Sequence, residues 1–241
     1  MASIDELKKK LVQAAVICEM EGLCSGFGHV SSRIPGSELI MMTPSGPPGK
    51  ADLGNIVTIN MKGEKISGEG TPNRELPIHT SIYKARDDVQ SVVHVHPPKV
   101  VAFSIADKEI YPMNYEEKRF FPSVRIFGET GENVYIDSEE LGDRMAQALG
   151  KDLALMIRGH GAVTVGESIE AACINAVSLE KTAETQFMAA MLLLSPSIKA
   201  DFKTAALFDP KTQEVKARVQ KRHWDYYLSK LDSYLRFSGK S

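Results

Sequence analysis

One short segment, in which two histidines alternate with valine and two prolines follow, constrains most strongly how this chain folds. Residues 90–98 read Gln-Ser-Val-Val-His-Val-His-Pro-Pro. The β-branched residues predict a strand, and residues i and i+2 of a strand point to the same face. His94 and His96 therefore project side by side, and the prolines end the strand just beyond them. We expect the pair to lie at the carboxyl end of the strand, where loops leave room for a ligand.

A carboxylate and a third imidazole occur at positions that suit the same cleft. Glu75 comes two residues before Pro77, a spacing typical of the first turn of a helix. His160 stands between two glycines directly after the apolar segment 153–157. Three imidazoles and one carboxylate are a suitable donor set for Zn²⁺ or another divalent ion, with a coordination position left open for substrate.

A structural role is the competing interpretation of each histidine. A single histidine at a strand end more often forms a structural hydrogen bond, and a His-x-His pair alone is weak evidence for a metal site. The combination is more informative, because prolines follow the pair, glycines that permit close backbone approach flank His160, and both sites follow hydrophobic segments. We therefore predict a metal site.

Composition indicates an ordinary globular protein with a small-molecule partner. The 241 residues contain no evident linker, so we predict one domain over residues 1–241. Hydrophobic residues make up 43% and charged residues 25% of the chain, which is enough for a packed core. The net charge of −2, with both signs interspersed, gives no long-range field that would attract nucleic acid or an anionic membrane.

The sequence shows no pattern typical of a membrane span or a secretion signal. The longest apolar run, residues 187–194, is far shorter than the roughly 20 residues that cross a bilayer, and we expect it to be a core helix. The first residues lack the apolar region and cleavage site of a signal peptide. An odd number of cysteines without a Cys-x-x-Cys motif predicts neither a disulfide framework nor a thiolate zinc site. We expect a cytoplasmic protein.

Hydrophobic periodicity predicts helices and strands along the whole chain. Expected helices cover 3–20, the segment after Glu75, 98–105, 138–150, 168–194 and the tail from 213. The stretch 26–33 is expected to begin with glycine turns and to continue into a short strand, and further strands are expected over 39–43, 55–61, 64–66, 90–96, 153–157 and 162–165. The helix 168–194 is so apolar that we expect it to be deeply buried, with an oligomer contact as the alternative.

Five strings in this order and spacing resemble the class II aldolase/adducin family. They are Gly-Phe-Gly-His-Val-Ser-Ser-Arg, Thr-Pro-Ser-Gly, Arg-Glu-Leu-Pro-Ile-His, Val-Val-His-Val-His-Pro and Arg-Gly-His-Gly-Ala-Val-Thr-Val-Gly, within residues 5–230. The resemblance implies an α/β class with a single-domain α/β/α fold, in which helices flank a central, mainly antiparallel sheet. It also implies a metal held by His94, His96 and His160, with Glu75 as acid/base and fourth ligand. We expect Zn²⁺ first, with Mn²⁺, Mg²⁺ and Co²⁺ as alternatives.

The same resemblance assigns candidate substrate-binding residues in two loops. Gly28 and His29 stand where aldolases of the family place a Gly-Asn pair that binds substrate phosphate, and the histidine weakens the case for a phosphorylated sugar. Ser45 and Gly46 match the second phosphate-binding element, which is intact. Half of a phosphate pocket is therefore retained.

Around Glu75 the sequence departs from the aldolases of the family. Asn73 and Arg74 replace two small hydroxyl residues, and Arg74 could bind a carboxylate or phosphate in bidentate fashion, with a surface salt bridge as the alternative. His79 is interpreted as a structural residue or as a partner of a ligand. The family often brings an aromatic hydroxyl to the site; Tyr115 is the candidate catalytic residue, with packing as the alternative.

These features predict a metal-dependent carbon–carbon lyase, either an aldehyde-lyase or a carboxy-lyase. Its substrate would be a small hydroxy-carbonyl or hydroxy-carboxylate compound, cleaved through a metal-stabilised enolate while Glu75 moves the proton. The sequence supports aldol cleavage and decarboxylation about equally. His29 and Arg74 favour a non-phosphorylated acid as the substrate.

Two other functions and an assembly state follow from the resemblance. A pentulose-phosphate epimerase would use the same metal for retro-aldol cleavage and re-addition. An adducin-like interaction module would have lost catalysis, but retention of the complete histidine and glutamate set argues against it. Family members are typically homotetramers with sites at subunit contacts, and we expect the aromatic segment 224–228 to pack over a neighbouring subunit's cleft.

Overall fold

Helices and strands alternate along the chain much as the periodicity predicts. The computed structural model describes residues 3–114, 116–132, 134–194 and 213–237. The helices are α1 (Ile4–Met20), α2 (Leu76–Ala85), α3 (Pro98–Ile105), α4 (Glu139–Leu149), α5 (Ile169–Leu193) and α6 (Gln213–Phe237). The strands are β1 (His29–Arg33), β2 (Leu39–Met42), β3 (Val57–Asn60), β4 (Lys65–Ser67), β5 (Ser91–Val95), β6 (Ile126–Phe127), β7 (Ala154–Ile157) and β8 (Gly161–Gly166).

The eight strands form one sheet with the order β4-β3-β2-β1-β5-β8-β7-β6. Every neighbouring pair is antiparallel except β6 and β7, which are parallel. Strands β1 and β5 therefore lie side by side near the centre, although three strands and α2 separate them in the chain. The predicted α/β fold with a mainly antiparallel sheet is confirmed.

Helices cover both faces of the sheet because side chains alternate along its strands. Val93 and Val95 of β5 join a core with α1, α5 and α6, whereas Val92 joins a core with α2 and α4. A third, smaller core lies around α3 and the strands β7 and β8. His94 shares the face of Val92, so the α2 side of the sheet is the side where the site forms.

One expectation about the helices at the carboxyl end is wrong. The second half of α5 is not core: Phe187, Met188, Met191 and Leu192 are each more than half exposed. Helical periodicity and apolar composition do not distinguish a buried helix from one that leaves the core. Trp224 and Tyr227 are buried against α1 and α5 of their own chain, and the packing of the segment 224–228 over a neighbouring subunit stays a prediction.

Among the described helices, none combines the length and apolar character that a membrane span requires. The family resemblance and the sheet are consistent with one domain over residues 1–241, and that assignment stays a prediction.

Candidate metal centre

The first two histidines of the site are held by β5 and by the residue directly after it. His94 lies on β5 with no exposed surface, and His96 follows the last residue of the strand. The amide of His96 donates a hydrogen bond to the carbonyl of Leu23 (2.8 Å), which fixes the backbone beyond the strand. The Nε2 atoms of the two imidazoles are 2.9 Å apart. The expected side-by-side projection of the pair is therefore present.

Glu75 is the N-cap residue of α2, one position earlier than the first turn expected for it. Its side chain does not cap the helix, so the carboxylate is free to face the sheet. The Oδ1 atom of Asn73 instead accepts the hydrogen bond from the amide of Glu75 (3.0 Å). Asn73, predicted to bind substrate, thus orients the backbone of Glu75.

His160 occupies the tight turn that joins β7 to β8, and the two flanking glycines make its position possible. Gly159 has φ of +64°, a conformation that side chains rarely adopt. A Cβ atom on Gly161 would lie 2.4 Å from the carbonyl oxygen of Val95 and 2.8 Å from Cδ2 of His96. The absence of a side chain at Gly161 therefore lets the turn approach β5 and the imidazole of His96.

Four donor groups converge between α2, β5 and this turn. The ligand atoms of Glu75, His94, His96 and His160 all lie within 4.8 Å of one another. The carboxylate is 3.7 Å from Nε2 of His94 and 3.5 Å from Nε2 of His160. The structure therefore brings together the four residues that the sequence predicts as ligands.

The hydrogen bonds around the imidazoles leave their Nε2 atoms available. Nδ1 of His94 lies 3.0 Å from the carbonyl oxygen of Ala162, and Nδ1 of His160 lies 3.2 Å from that of Val134. A carbonyl oxygen only accepts, so each Nδ1 carries the hydrogen and each Nε2 has a free lone pair. Oε1 of Glu75 is also buried without a hydrogen-bond partner. This donor set fits a divalent cation.

The electrostatics of the metal-free cluster favour uncharged groups. Burial lowers the pKa of His94 well below its ordinary value and lowers that of His96 to about 4. Burial raises the pKa of Glu75, against the opposing effect of His160. Neutral imidazoles are the form that binds metal, and a cation at this point would favour the ionised carboxylate.

His29 faces the same cluster from the neighbouring strand. It is the first residue of β1 and pairs directly with His94, and its Nε2 atom is 3.8 Å from the carboxylate of Glu75. That nitrogen is buried and has no hydrogen-bond partner. Gly28 precedes it with φ of +129°, and a Cβ atom there would lie 2.9 Å from the carbonyl of His94. Gly28 thus has a backbone role, and His29 points at the site.

The remaining predicted residues are exposed or lie outside the described part of the chain. Ser45 and Gly46 are exposed in the loop after β2, and the amide of Ser45 donates to the carbonyl of Thr71 (2.7 Å). Arg74 is exposed beside Glu75. Tyr115 lies outside the described residues. The substrate-binding roles of these residues stay predictions.

Tyr135 brings an aromatic hydroxyl near the site, and the sequence analysis did not single this residue out. The ring centroid of Tyr135 lies 6.0 Å from that of His160. Partial burial and the charge of Glu75 raise the pKa of its phenol, and Arg74 opposes them. The neighbouring Val134 supplies the carbonyl that orients His160. Tyr135 lies outside the helices and strands, so sequence periodicity does not predict that it packs beside His160.

Known proteins resemble this chain in both sequence and structure. The family description Class II Aldolase and Adducin N-terminal domain matches residues 9–187. A 3,4-dihydroxyphthalate decarboxylase from Rhodococcus jostii (strain RHA1) is 30% identical, over 75% of this chain and 79% of that protein. An L-fuculose phosphate aldolase from Methanococcus maripaludis is 28% identical, over 67% and 84%. The structure of L-fuculose 1-phosphate aldolase from Glaciozyma antarctica PI12 superimposes with a TM-score of 0.72 at 26% identity, over 86% and 82%.

The fold and the site together define an α/β/α protein with a candidate centre for a divalent metal. The chain belongs to the class II aldolase and adducin family. Relatives that are decarboxylases and aldolases support, at the level of the family, a metal-dependent lyase with a small-molecule substrate.

Proposed function

We propose that this protein is a metal-dependent carboxy-lyase that removes carbon dioxide from a small hydroxy acid. The observation that carries the proposal is the unpartnered Nε2 atom of His29, which faces the four-residue cluster from a fully buried position. An imidazole there can orient a carboxylate next to the metal ligands. The resemblance to 3,4-dihydroxyphthalate decarboxylases supports the same reaction type.

His94, His96, His160 and Glu75 would hold the ion, and Zn²⁺ is our first expectation. Bound there, a divalent cation supplies Lewis-acid stabilisation of the negative charge that develops as the carbon–carbon bond breaks, worth several kcal/mol. Cytoplasmic location and a homotetramer remain part of the proposal.

Within this site Glu75 is the residue that transfers the proton. Loss of carbon dioxide leaves the bonding electron pair on the substrate carbon, which then takes up a proton. Oε1 of Glu75 is buried beside the imidazoles without a hydrogen-bond partner, so it is placed to exchange that proton with the substrate. Glu75 is 5% exposed, so little solvent contacts its carboxyl group in this step.

Aldol cleavage is the second candidate, and one observation favours it. Ser45 and Gly46 retain the phosphate-binding element of the aldolases, and a relative of the chain is an L-fuculose phosphate aldolase.

The epimerase would give a rearranged ketose phosphate, whereas an adducin-like module would give no product. Metal analysis of protein purified without added metal separates the module from the enzymes.

A panel of substrates tests the proposal. Hydroxy-aromatic acids, 3-oxo acids and ketose phosphates are incubated with protein loaded with Zn²⁺, Mn²⁺ or Mg²⁺, while carbon dioxide and aldehyde are measured. We expect carbon dioxide from a hydroxy acid, and a slower reaction in Arg74→Ala. Rapid aldehyde release from a ketose 1-phosphate, unaffected by Arg74→Ala, would refute the carboxy-lyase.

A further inference from the structure

Behind the candidate metal centre, a chain of buried hydrogen bonds runs from His29 into the core. Nδ1 of His29 lies 2.5 Å from Nε2 of His79, and Nδ1 of His79 lies 2.6 Å from Oγ of Ser31. Oγ of Ser31 lies 2.8 Å from the phenol oxygen of Tyr83. None of the four side chains is more than 1% exposed. They form one continuous chain between β1 and α2, shielded from solvent.

The direction of these hydrogen bonds follows from Tyr83, the last residue of the hydrogen-bond chain. Burial raises the pKa of Tyr83, so its phenol keeps its hydrogen. Among the described residues, the acceptor for that hydrogen is Oγ of Ser31. The serine then donates its own hydrogen to Nδ1 of His79, because that hydrogen would otherwise be buried without an acceptor among the described residues.

The same reasoning carries through both imidazoles. A neutral imidazole has one nitrogen that donates and one that accepts. Because Nδ1 of His79 accepts from Ser31, its Nε2 carries the hydrogen and donates it to Nδ1 of His29. His29 then carries its hydrogen on Nε2, the atom that is 3.8 Å from the carboxylate of Glu75.

We propose that Tyr83, Ser31 and His79 are positioning residues that hold His29 in the Nε2–H tautomer, as a hydrogen-bond donor and not as a metal ligand. A protonated Nε2 cannot coordinate a cation, which accounts for a fourth imidazole that stands 5.0 Å from the ring of His94 yet outside the ligand set. Its N–H group points at the place where substrate would meet the ligands, and it fits an anionic oxygen. The identity of that oxygen as a substrate carboxylate rests on the proposed function.

Nuclear magnetic resonance measures the tautomer directly. The full chain is labelled with ¹⁵N-histidine and loaded with Zn²⁺, and long-range ¹H–¹⁵N correlations identify the protonated nitrogen of each ring. The signals of His29 are assigned by their loss in His29→Asn. We expect His29 to be protonated on Nε2 and unprotonated on Nδ1. A His29 ring whose Nε2 lacks the hydrogen, or binds Zn²⁺, would overturn the proposal.

Variants of the hydrogen-bonded residues distinguish the assigned direction of the hydrogen bonds from a role in packing alone. Ser31→Ala removes the donor to His79 and should shift His29 toward a mixture of tautomers. His79→Gln keeps an amide N–H group near the place of Nε2 and should preserve the tautomer. Ser32→Ala is the matched control, because Ser32 lies on the same strand, is nearly as buried, and donates to backbone carbonyls instead. An unchanged His29 in Ser31→Ala would contradict the assigned direction.

A second measurement tests the donor role toward substrate without relying on turnover. Addition of salicylate, a hydroxy-aromatic acid, should move the Nε2–H resonance of His29 in the Zn²⁺-loaded protein, and an unmoved resonance overturns this role. If a hydroxy acid is turned over, Ser31→Ala should lower kcat/KM about tenfold and Ser32→Ala should not. Absence of turnover with the predicted tautomer present would refute the proposed reaction while leaving the hydrogen-bond chain intact.

Discussion

His29 and His94 lie directly opposite each other on β1 and β5, with ring centroids 5.0 Å apart. Side chains alternate between the faces of a sheet, so a shift of this register by one residue would turn His29 and Ser31 to the α1 side. The candidate site therefore depends on one strand register as well as on its individual residues. Gly28 supports that register, since its lack of a side chain allows the backbones of the two strands to approach.

Removing one imidazole of the cluster should release the metal. We expect His94→Ala, His96→Ala and His160→Ala each to lose most bound metal while remaining folded, because the donor set loses one of its four members. Metal content of the purified protein and far-ultraviolet circular dichroism are the measurements. His223→Ala, on α6, is the control. Full metal content in all three cluster variants would refute the site.

Glu75→Gln should separate metal binding from proton transfer. Glutamine keeps the shape of the side chain but cannot exchange a proton, so we expect more bound metal than in the histidine variants. A rate loss on the order of 10²- to 10⁴-fold is expected. Glu140→Gln, at an exposed position in the first turn of α4, is the control. Near-normal turnover would assign the acid/base role elsewhere, with Tyr135 and Tyr115 as the next candidates.

Gly161→Ala should distort the backbone that positions the metal ligands. The added methyl group would meet the carbonyl of Val95 at 2.4 Å, and backbone cannot move aside as a flexible side chain can. We expect a loss of roughly 1–3 kcal/mol in unfolding free energy, together with weaker metal binding. Gly54→Ala is the matched control, since its methyl group would meet only the side chain of Asp52 within 4 Å. Equal stability and equal metal affinity in the two variants would contradict the close-packing argument.

The metal-free protein should lose stability as the solution is acidified. Burial lowers the pKa of His29 to about 3 and that of His96 to about 4, both below the ordinary value of 6.5. Between these values and pH 6.5 the unfolded chain binds more protons, so the unfolding free energy falls as the pH decreases. The slope for His29 is about 1.4 kcal/mol per pH unit, and that for the partly exposed His96 is smaller.

The raised pKa of Glu75 acts in the opposite direction, because the folded state then takes up a proton more readily than the unfolded chain. Urea unfolding of chelator-treated protein at several pH values below 6.5 measures the net effect. The His29→Gln variant should show a shallower dependence on pH. The same dependence on pH in the wild type and in His29→Gln would be inconsistent with a buried, neutral His29.

The sequence predicted the elements and the convergence of four residues better than it predicted the surroundings of the site. Strand periodicity put His94 and His96 on one face, and the glycines beside His160 marked a close approach that Gly161 in fact requires. The contact between His29 and His79 was not predicted, because it depends on how α2 packs on β1 and not on either local pattern. The position of Tyr135 depends in the same way on an irregular segment.

The end of α5 shows a different limit of sequence analysis. An apolar helix face has the same composition whether it is covered by its own chain or by another subunit. The exposed side chains of this face are Phe187, Met188, Met191, Leu192 and Leu194. Only the packed structure separates them from the buried first half of the helix.

This face leads to a prediction about assembly. The family resemblance implies a homotetramer, and exposed apolar side chains at the end of α5 are suited to a subunit contact. We expect Leu192→Glu to shift the mass measured by light scattering toward smaller species, because it puts a charge into that contact. Leu53→Glu is the matched control, since Leu53 is 55% exposed and Leu192 is 58% exposed. A wild-type monomer at working concentration, or an equal loss of mass in both variants, would count against α5 as the contact.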